Sequence, residues 1–435
     1  MYKVEVQLSR ELGEQTYKTI LKNGLEVYIC TKPGFTKKIG MFGTKYGSID
    51  NEFLDIITNK KIKVPDGIAH FLEHKLFEKE GANALDLFAK MGVRANAYTS
   101  FDQTVYYFET CQKFKECIGK LVSLIKEPYF TDENVKKEQG IIGQEIKMYE
   151  DEPSYRAYFN TLIAMYNTNP VKIDIAGTVE SISHITKELL YTCYNTFYSP
   201  QNMFFLVVGD VDVQDTINII ESNMRKYEKN YDNKKNLRPI EKYTLEEQKQ
   251  TNKREIVDEM DVMLPELSIG YKLKIKSPEN IIKMQIIASM ISDIFFSKSS
   301  EFYEKEYSNG NLVSEIEFQY EGSKSFSHVI IAANTKNIEK LKKSIIDYIE
   351  KIKTEEIDNE KFELIKRKEI GEIISLADNL SVSYRRIIDS IIIGSDIYAD
   401  INFIEDIKIE DIKNFLELLK EENRVFSIIV PKKDS

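Results

Sequence analysis

The sequence predicts an α+β protein built from two related halves. Three observations carry this. Short segments with strand-like alternation are interspersed with longer segments of helical periodicity. A charged stretch poor in large apolar residues, "RKYEKNYDNKKNLRPIEKYTLEEQKQTNKRE" from Arg225 to Glu255, divides the chain nearly in half and has the composition of an exposed linker. The halves also read as a divergent repeat. "LVSLIKEPYFTDENVKKEQGIIGQEI" parallels "IIDYIEKIKTEEIDNEKFELIKRKEIGEI", and Phe130 to Glu145 has the same spacing as Ile357 to Glu372. The expected organisation is a lobe over 1–228, a linker over 229–255 and a second lobe over 256–435.

In chain order, "YKTILKNGLEVYIC" alternates around Asn23-Gly24, a hairpin signal. "KKIGMFGTKYGSID" continues as a strand with a glycine-bearing end. Pro65-Asp66 opens a helix, with Asp66 the expected N-cap. That helix, "GIAHFLEHKLF", has Ile68, Ala69, Leu72 and Phe77 at helical spacings. "NALDLFAKMG" is a short helix ending at Gly92, and "RANAYTSFDQTVYYFET" is strand-like. Phe114 to about Tyr149 is helical with a break at Pro128. Each half ends in an apolar strand, "MFFLVVGDV" and "RVFSIIVPK". The second-half counterpart of the histidine-bearing helix is "IIKMQIIASMISDIFF", which has no histidine.

The bulk properties narrow the function. A chain of 435 residues exceeds one ordinary core. Its 42% hydrophobic and 30% charged residues are those of a globular protein, and its net charge of −10 argues against general nucleic-acid binding. The N-terminus lacks an apolar leader and no run of about 18 apolar residues occurs, so a cytoplasmic protein without a membrane span is expected. Cys30, Cys111, Cys117 and Cys193 form no paired motif and read as buried or half-buried free thiols.

The chemistry concentrates at His70, Glu73 and His74. Residues i and i+4 of a helix share a face, so His70 and His74 can aim two imidazoles at one ion. Glu73 reaches the edge of the same site and can take a proton from water held by a metal. Two histidines need a third protein ligand. His184 and His328 each stand alone in structural surroundings. An acid on "KKEQGIIGQEIKMYED" fits better, and Glu138 and Glu145 share a helix face there. The stretch "GIIGQEI" carries no other charge, which points to burial around Glu145.

HxxEH followed some seventy residues later by Glu-x6-Glu resembles the inverzincin, or insulinase-like (pitrilysin, M16), family of zinc metallopeptidases. "GIAHFLEHKLF", "NAYTSFDQTVYYF", "EPYFTDENVKKEQGIIGQEI", "AGTVESISHIT" and "YSPQNMFFLVVGD" fit its pattern in order, covering residues 17–212. The resemblance implies one zinc ion held by His70, His74 and Glu145. It makes Glu73 the general base and Glu138 a support that does not bind metal. It implies that the strand with Asn96, Ala97 and Tyr98 binds extended peptide by backbone pairing. It implies two lobes, each a mainly antiparallel sheet backed by helices. The length is similar to that of the single-unit members, such as mitochondrial processing peptidase, which close a chamber from two chains as a heterodimer or homodimer. "TKYGSID", "DGIAHFLEHK" and "GIIGQEI" look most like bacterial members found beside an inactive homologue and associated with modification of elongation factor P.

One departure stands out. Many members carry an Arg and a Tyr, seven apart, that bind the substrate carbonyl and the oxyanion. "EFYEKEYSNGNLVSEIEF" holds no arginine, and Tyr303 and Tyr307 do not match. The expected function is a zinc endopeptidase subunit whose homologous partner completes the site. A non-proteolytic assembly subunit of the same fold is the alternative, and the intact ligand set with its base weighs against it.

Overall fold

The computed structural model describes residues 2–227, 240–243 and 246–432. Its residues cluster into two compact units. One comprises Met1–Ile146, Ile173–Thr244 and Ala377–Ile392; the other comprises Lys147–Lys172, Leu245–Leu376 and Ile393–Ser435.

The first unit opens with strands β1 (Glu5–Ser9), β2 (Glu14–Ile20), β3 (Glu26–Thr31) and β4 (Lys38–Thr44). The β2–β3 hairpin turns at Asn23-Gly24, where Gly24 takes φ 89° and its N–H donates to the Leu21 carbonyl. A small hairpin follows, β5 (Glu52–Leu54) with β6 (Lys61–Lys63). Helix α1 (Ile68–Phe77) precedes a tight hairpin of β7 (Glu78–Lys79) and β8 (Ala82–Asn83). Helix α2 (Ala84–Ala89) is capped by the Asn83 side chain, which accepts from the Leu85 N–H. Gly92 then turns the chain with φ 72°.

The strand-like stretch after Gly92 is not one strand but a hairpin, β9 (Arg94–Thr99) and β10 (Thr104–Thr110). Its turn is set at long range: the backbone N–H groups of Ser48 and Ile49 donate to the carbonyls of Ser100 and Phe101. Two helices follow, α3 (Phe114–Lys126) and α4 (Asp132–Glu150), separated around Pro128 as the sequence predicts. Thr131 caps α4, accepting from the Asn134 N–H. Helix α5 (Pro153–Met165) belongs to the second unit. Helices α6 (Val179–Ser183) and α7 (Lys187–Phe197), strand β11 (Met203–Gly209) and helix α8 (Val213–Arg225) complete this part of the chain.

The seven-stranded sheet runs β1-β2-β3-β11-β4-β10-β9, antiparallel throughout except where β11 lies parallel to β3. One core packs helices onto its face, with Phe42, Phe71, Leu72, Leu76, Ile118, Leu121, Ile142 and Phe205 at its centre.

The second unit holds β12 (Glu255–Met260), β13 (Glu266–Lys272), α9 (Pro278–Ile291), α10 (Glu301–Ser308), β14 (Glu317–Gly322), β15 (Ser327–Asn334), α11 (Ile338–Thr354) and α12 (Asn359–Ala377). Beyond α13 (Leu380–Ile393) come α14 (Ala399–Asp406), α15 (Ile409–Leu416) and β16 (Arg424–Pro431). Its sheet order is β12-β16-β13-β15-β14, again with one parallel pair, β12 with β16. This matches β3-β11-β4-β10-β9 strand for strand. The duplication read from sequence is therefore a duplication of topology, with α4 and α12 each of 19 residues.

Each unit also holds a helix from the other half of the sequence. In the second unit α5 lies on β13 and β16, close enough that a Cβ on Gly270 would stand 2.5 Å from Thr161 Cγ2. In the first unit α13 is pinned by buried charge. Arg386 donates to Glu14 Oε2 at 2.6 Å, and Lys32 pairs with the same carboxylate and donates to the Ala377 carbonyl. Tyr384 of α13 also meets Tyr107 of β10, with ring centroids 6.3 Å apart.

Of the sequence-defined linker, 229–239 and 244–245 lie outside the described residues. Its end is held in place. Glu247 accepts backbone hydrogen bonds from Asn167, Thr168 and Asn169 and pairs with the Lys272 ammonium. Of the cysteines, Cys30, Cys117 and Cys193 are buried, whereas Cys111 is exposed in the turn between β10 and α3.

Candidate metal centre

Eight of the ten residues of α1 are buried, and the two that are not are His70 and His74. The helix thus turns its two histidines to an opening, above a buried body that also holds the charged Glu73 and Lys75. Its start differs from the expected cap. Gly67, not Asp66, is the N-cap, with φ 86° and no side-chain cap bond. Asp66 is occupied elsewhere: its carboxylate accepts from Asn51 Nδ2 and its carbonyl from Ser181 Oγ, both at 2.9 Å. A Cβ on Gly67 would lie 2.2 Å from the Ala176 carbonyl oxygen, so the entry to α1 interlocks with the loop before α6.

Helix α4 supplies the acids. His70 Nε2 is 3.7 Å from Glu145 Oε1, and His74 Nε2 is 3.6 Å from Glu145 Oε2. The three donor atoms of His70, His74 and Glu145 lie within 4.8 Å of one another. Donors about 2.0–2.2 Å from a tetrahedral zinc ion stand about 3.3–3.6 Å apart. The spacing therefore suits such an ion after small side-chain adjustments. Glu138 takes a different position. Its Oε1 is 3.1 Å from His74 Nδ1, on the ring edge away from Glu145. A carboxylate there fixes the ring orientation and leaves Nε2 as the donor to a metal. His70 Nδ1 has no such partner among the described residues, so packing alone orients that ring.

Glu73 lies on the same helix but points its carboxylate to β9, where Thr99 Oγ1 donates to Oε2 at 2.6 Å. Below it runs a buried cation. Lys75, whose side chain is 0% exposed, pairs with Glu78, stands 3.7 Å from Glu138 Oε2 and donates to the Asn134 carbonyl at 3.2 Å. It ties α1 to the first turn of α4.

Two family models cover the chain in succession: Insulinase (Peptidase family M16) over residues 62–179, and Peptidase M16 inactive domain over residues 184–369. The Bacillus subtilis protein named uncharacterized zinc protease YmfH is 37% identical over 425 residues, spanning 97% of this chain and 98% of its own. The chain belongs to peptidase family M16. A crystal structure of an M16-like peptidase from Alicyclobacillus acidocaldarius superposes on this M16 chain with TM-score 0.89 at 31% identity, over 98% of this chain and all of that one. Pitrilysin shares the fold, with TM-score 0.74 at 16% identity, and this chain spans 47% of its length.

The charges of the M16 centre are tuned by burial first. Burial holds His70 down to about 3, aided by its neighbour His74, so its imidazole is neutral and able to donate to a metal near pH 7. Burial also depresses His74, but the hydrogen bond to Glu138 and the charges of Glu73 and Glu145 outweigh it and raise its pKa. Burial pushes Glu73 up to about 7 against the opposing Thr99 hydroxyl and His74. A carboxylate poised near neutrality suits proton transfer in both directions.

Not every expectation about the surroundings survives. The Glu145 side chain is 25% exposed and Ile141 is 47% exposed, so "GIIGQEI" is not buried throughout. Ile142, Gly143 and Ile146 are buried as expected, while Ile141 lines a cavity. His184 is exposed at the C-cap of α6, and His328 is buried in the second unit beside Tyr166 and Glu321. Among the described residues neither belongs to the donor cluster of His70, His74 and Glu145. Asn96, Ala97 and Tyr98 lie on β9, the edge of the seven-stranded sheet. The sequence reading missed Thr99 and Lys75. Thr99 follows "NAY" directly, at the parity of Ala95 and Ala97, which pack against the core. That parity signals a side chain facing α1.

Proposed function

We propose that this chain is a zinc-dependent endopeptidase that cleaves peptides or small unfolded proteins. The observation that carries the proposal is the convergence of His70, His74 and Glu145 donors beside a buried, Thr99-anchored Glu73. Relatives named as zinc proteases support it. A zinc ion bound there would acidify water in its open position and polarise a substrate carbonyl. His70, His74 and Glu145 would hold the ion, and Glu138 would keep His74 in the donating tautomer. Glu73 takes the proton of the attacking water on its carboxylate and returns it to the leaving amine. The free edge of β9 at Asn96–Tyr98 offers backbone donors and acceptors to an extended peptide. We further propose that the chain works in the cytoplasm as one subunit of a two-chain chamber with a homologous M16-type partner. Support comes from the segment Glu301–Phe318, which supplies no arginine for oxyanion binding.

The test is Glu73→Gln. Hydrolysis should fall by about 10²–10⁴-fold with zinc content unchanged, whereas His70→Ala or Glu145→Ala should lose the metal. A glutamine variant that still cleaves peptides refutes the mechanism. A wild-type chain that binds zinc but cleaves nothing, alone or with the homologous partner, favours a non-proteolytic assembly subunit.

A further inference from the structure

The contacts between α1 and α4, all within the first unit, run in opposite chain directions. His70 meets Glu145, His74 meets Glu145 and Glu138, and Lys75 meets Glu138 and the Asn134 carbonyl. Asn134, Glu138 and Glu145 share one face of α4, because steps of four and seven residues return to within about 40° of a whole turn. Lys75 therefore grips the face that presents Glu145, about 16 Å further along the helix.

Lys79, four residues on, grips the neighbouring segment. Its ammonium donates to the Leu124 and Glu127 carbonyls, both at 2.6 Å, at the C-terminal end of α3. The last carbonyls of a helix lack partners within it, so they are open to such a donor. The two lysines thus hold the corner around Pro128 from both sides, one at the end of α3 and the other at the start of α4. The corner is also braced from within: the Asn134 side chain accepts from the Thr131 N–H and donates to the Tyr129 carbonyl. Lys75 is 0% exposed, and Glu78, Glu138 and the Asn134 carbonyl are the partners of its buried charge. Sliding or turning α4 on α1 would strip that charge of partners, which is costly in the interior. A metal centre needs its ligands held to within about 0.5 Å. Glu145 is the one ligand of the set that α1 does not carry, so its placement depends on how α4 lies against α1.

We propose that Lys75 and Lys79 are positioning residues of the metal centre, a two-point clamp on the α3–α4 corner that sets the register of α4 on α1 and so brings Glu145 to His70 and His74. They act through the Asn134 carbonyl, Glu138 and the end of α3. The clamp rests on the zinc reading of the centre and does not require that the chain cleave peptides.

The experiment uses the full chain. It reads zinc affinity by chelator competition and ligand geometry by the visible spectrum of the cobalt(II)-loaded protein. Lys75→Met removes both the grip and a positive charge. Loss of a nearby positive charge would by itself tighten the binding of a cation, so weaker binding reports on position. The expected loss is about tenfold, as for other residues that orient ligands from behind, with an altered cobalt spectrum. Lys75→Met/Glu78→Gln keeps the buried charge balanced should the single variant unfold. Lys79→Met, at the other point of the clamp, should weaken zinc binding in the same direction by less. Arg386→Met is the control. It removes the pair with Glu14 that pins α13, on the sheet face that Tyr107 shows and opposite to the core residues Tyr106 and Phe108. It should lower Tm and leave zinc affinity and the cobalt spectrum unmoved. If the variants of either lysine bind zinc as tightly as wild type or tighter, or lose no more affinity than Arg386→Met does, the two-point clamp is overturned. A wild-type chain that binds no zinc refutes the zinc reading and the clamp with it. A wild-type chain that binds zinc and cleaves nothing refutes the peptidase reading alone, and the lysine variants still decide the clamp.

Discussion

Glu138 offers the sharpest test of how the centre is built. It touches none of the three donor atoms of the candidate centre, yet it fixes His74 from behind through Nδ1 at 3.1 Å. Replacing it by alanine leaves that N–H without its acceptor and frees the ring to rotate. Loss of such a supporting carboxylate costs about 10–100-fold in metal affinity, or about 1.4–2.8 kcal/mol. An opposing effect exists. Glu138 also raises the His74 pKa, so its removal eases the proton loss that metal binding requires. That gain shrinks as pH rises, whereas the orientational loss does not, so the loss wins on the alkaline side. The metal-free fold should suffer little. Lys75 keeps Glu78 and the Asn134 carbonyl, so the cost is about 1 kcal/mol, or a few degrees in Tm. Chelator competition at pH 8 measures affinity, and calorimetry of the metal-free protein measures the fold. Glu138→Gln, whose amide oxygen can still accept from Nδ1, should lose less than alanine. An alanine variant that binds zinc within about twofold of wild type would refute the anchoring role.

Three further outcomes follow from named contacts. Thr99→Val removes the hydroxyl that favours the Glu73 carboxylate. Activity should fall about tenfold, and the acidic limb of the pH–rate profile should move to higher pH, since the base then stays protonated longer; an unmoved limb contradicts the contact. Gly67→Ala forces a left-handed φ on a side chain and drives its Cβ into the Ala176 carbonyl. It should cost about 3 kcal/mol or more in urea unfolding and lower zinc occupancy, and a neutral effect would disprove the interlock. Glu247→Ala strips the acceptor from three backbone N–H groups and the Lys272 ammonium, which retains the Gln248 and Gln250 carbonyls, at a cost of about 2–3 kcal/mol. Burial pushes Glu247 up, but Lys272 and those amides hold it down to about 2. Its stabilisation is complete above the ordinary value of 4.5 and is lost as pH falls toward 2. The gap between wild type and variant should narrow across that window, and a constant gap would show that the ionised form is not what matters.

Local signals read well from sequence because they depend on few neighbours. The Asn23-Gly24 hairpin, the break at Pro128 and the pairing of His70 with His74 are all properties of short windows. The repeat was legible for the same reason, since α4 and α12 keep one spacing of apolar and acidic positions. What escaped depends on distant partners. Asp66 has the composition of an N-cap, but Asn51 and Ser181 claim its oxygens. The stretch after Gly92 alternates without a break, and only the backbone of Ser48 and Ile49 shows where it turns. The uncharged run around Glu145 is core at Ile142 and Ile146 but cavity wall at Ile141, a division that depends on neighbours the run does not contain. Periodicity also gives α13 an apolar face without telling which sheet that face meets.

That last point bears on the order in which the protein can be completed. Helix α13 begins at Leu380 of a 435-residue chain, yet it carries the arginine that neutralises Glu14 in the second strand. A nascent chain that has emerged as far as residue 376 has made both histidines and both acids of the centre. It still lacks the helix that covers the sheet behind them. Translation must therefore pass through α13 before the first unit can close, and severing the chain between the halves would leave each fragment short of one helix. The two lobes descend from one repeat, but as polypeptides they are inherited jointly and cannot be parcelled out singly.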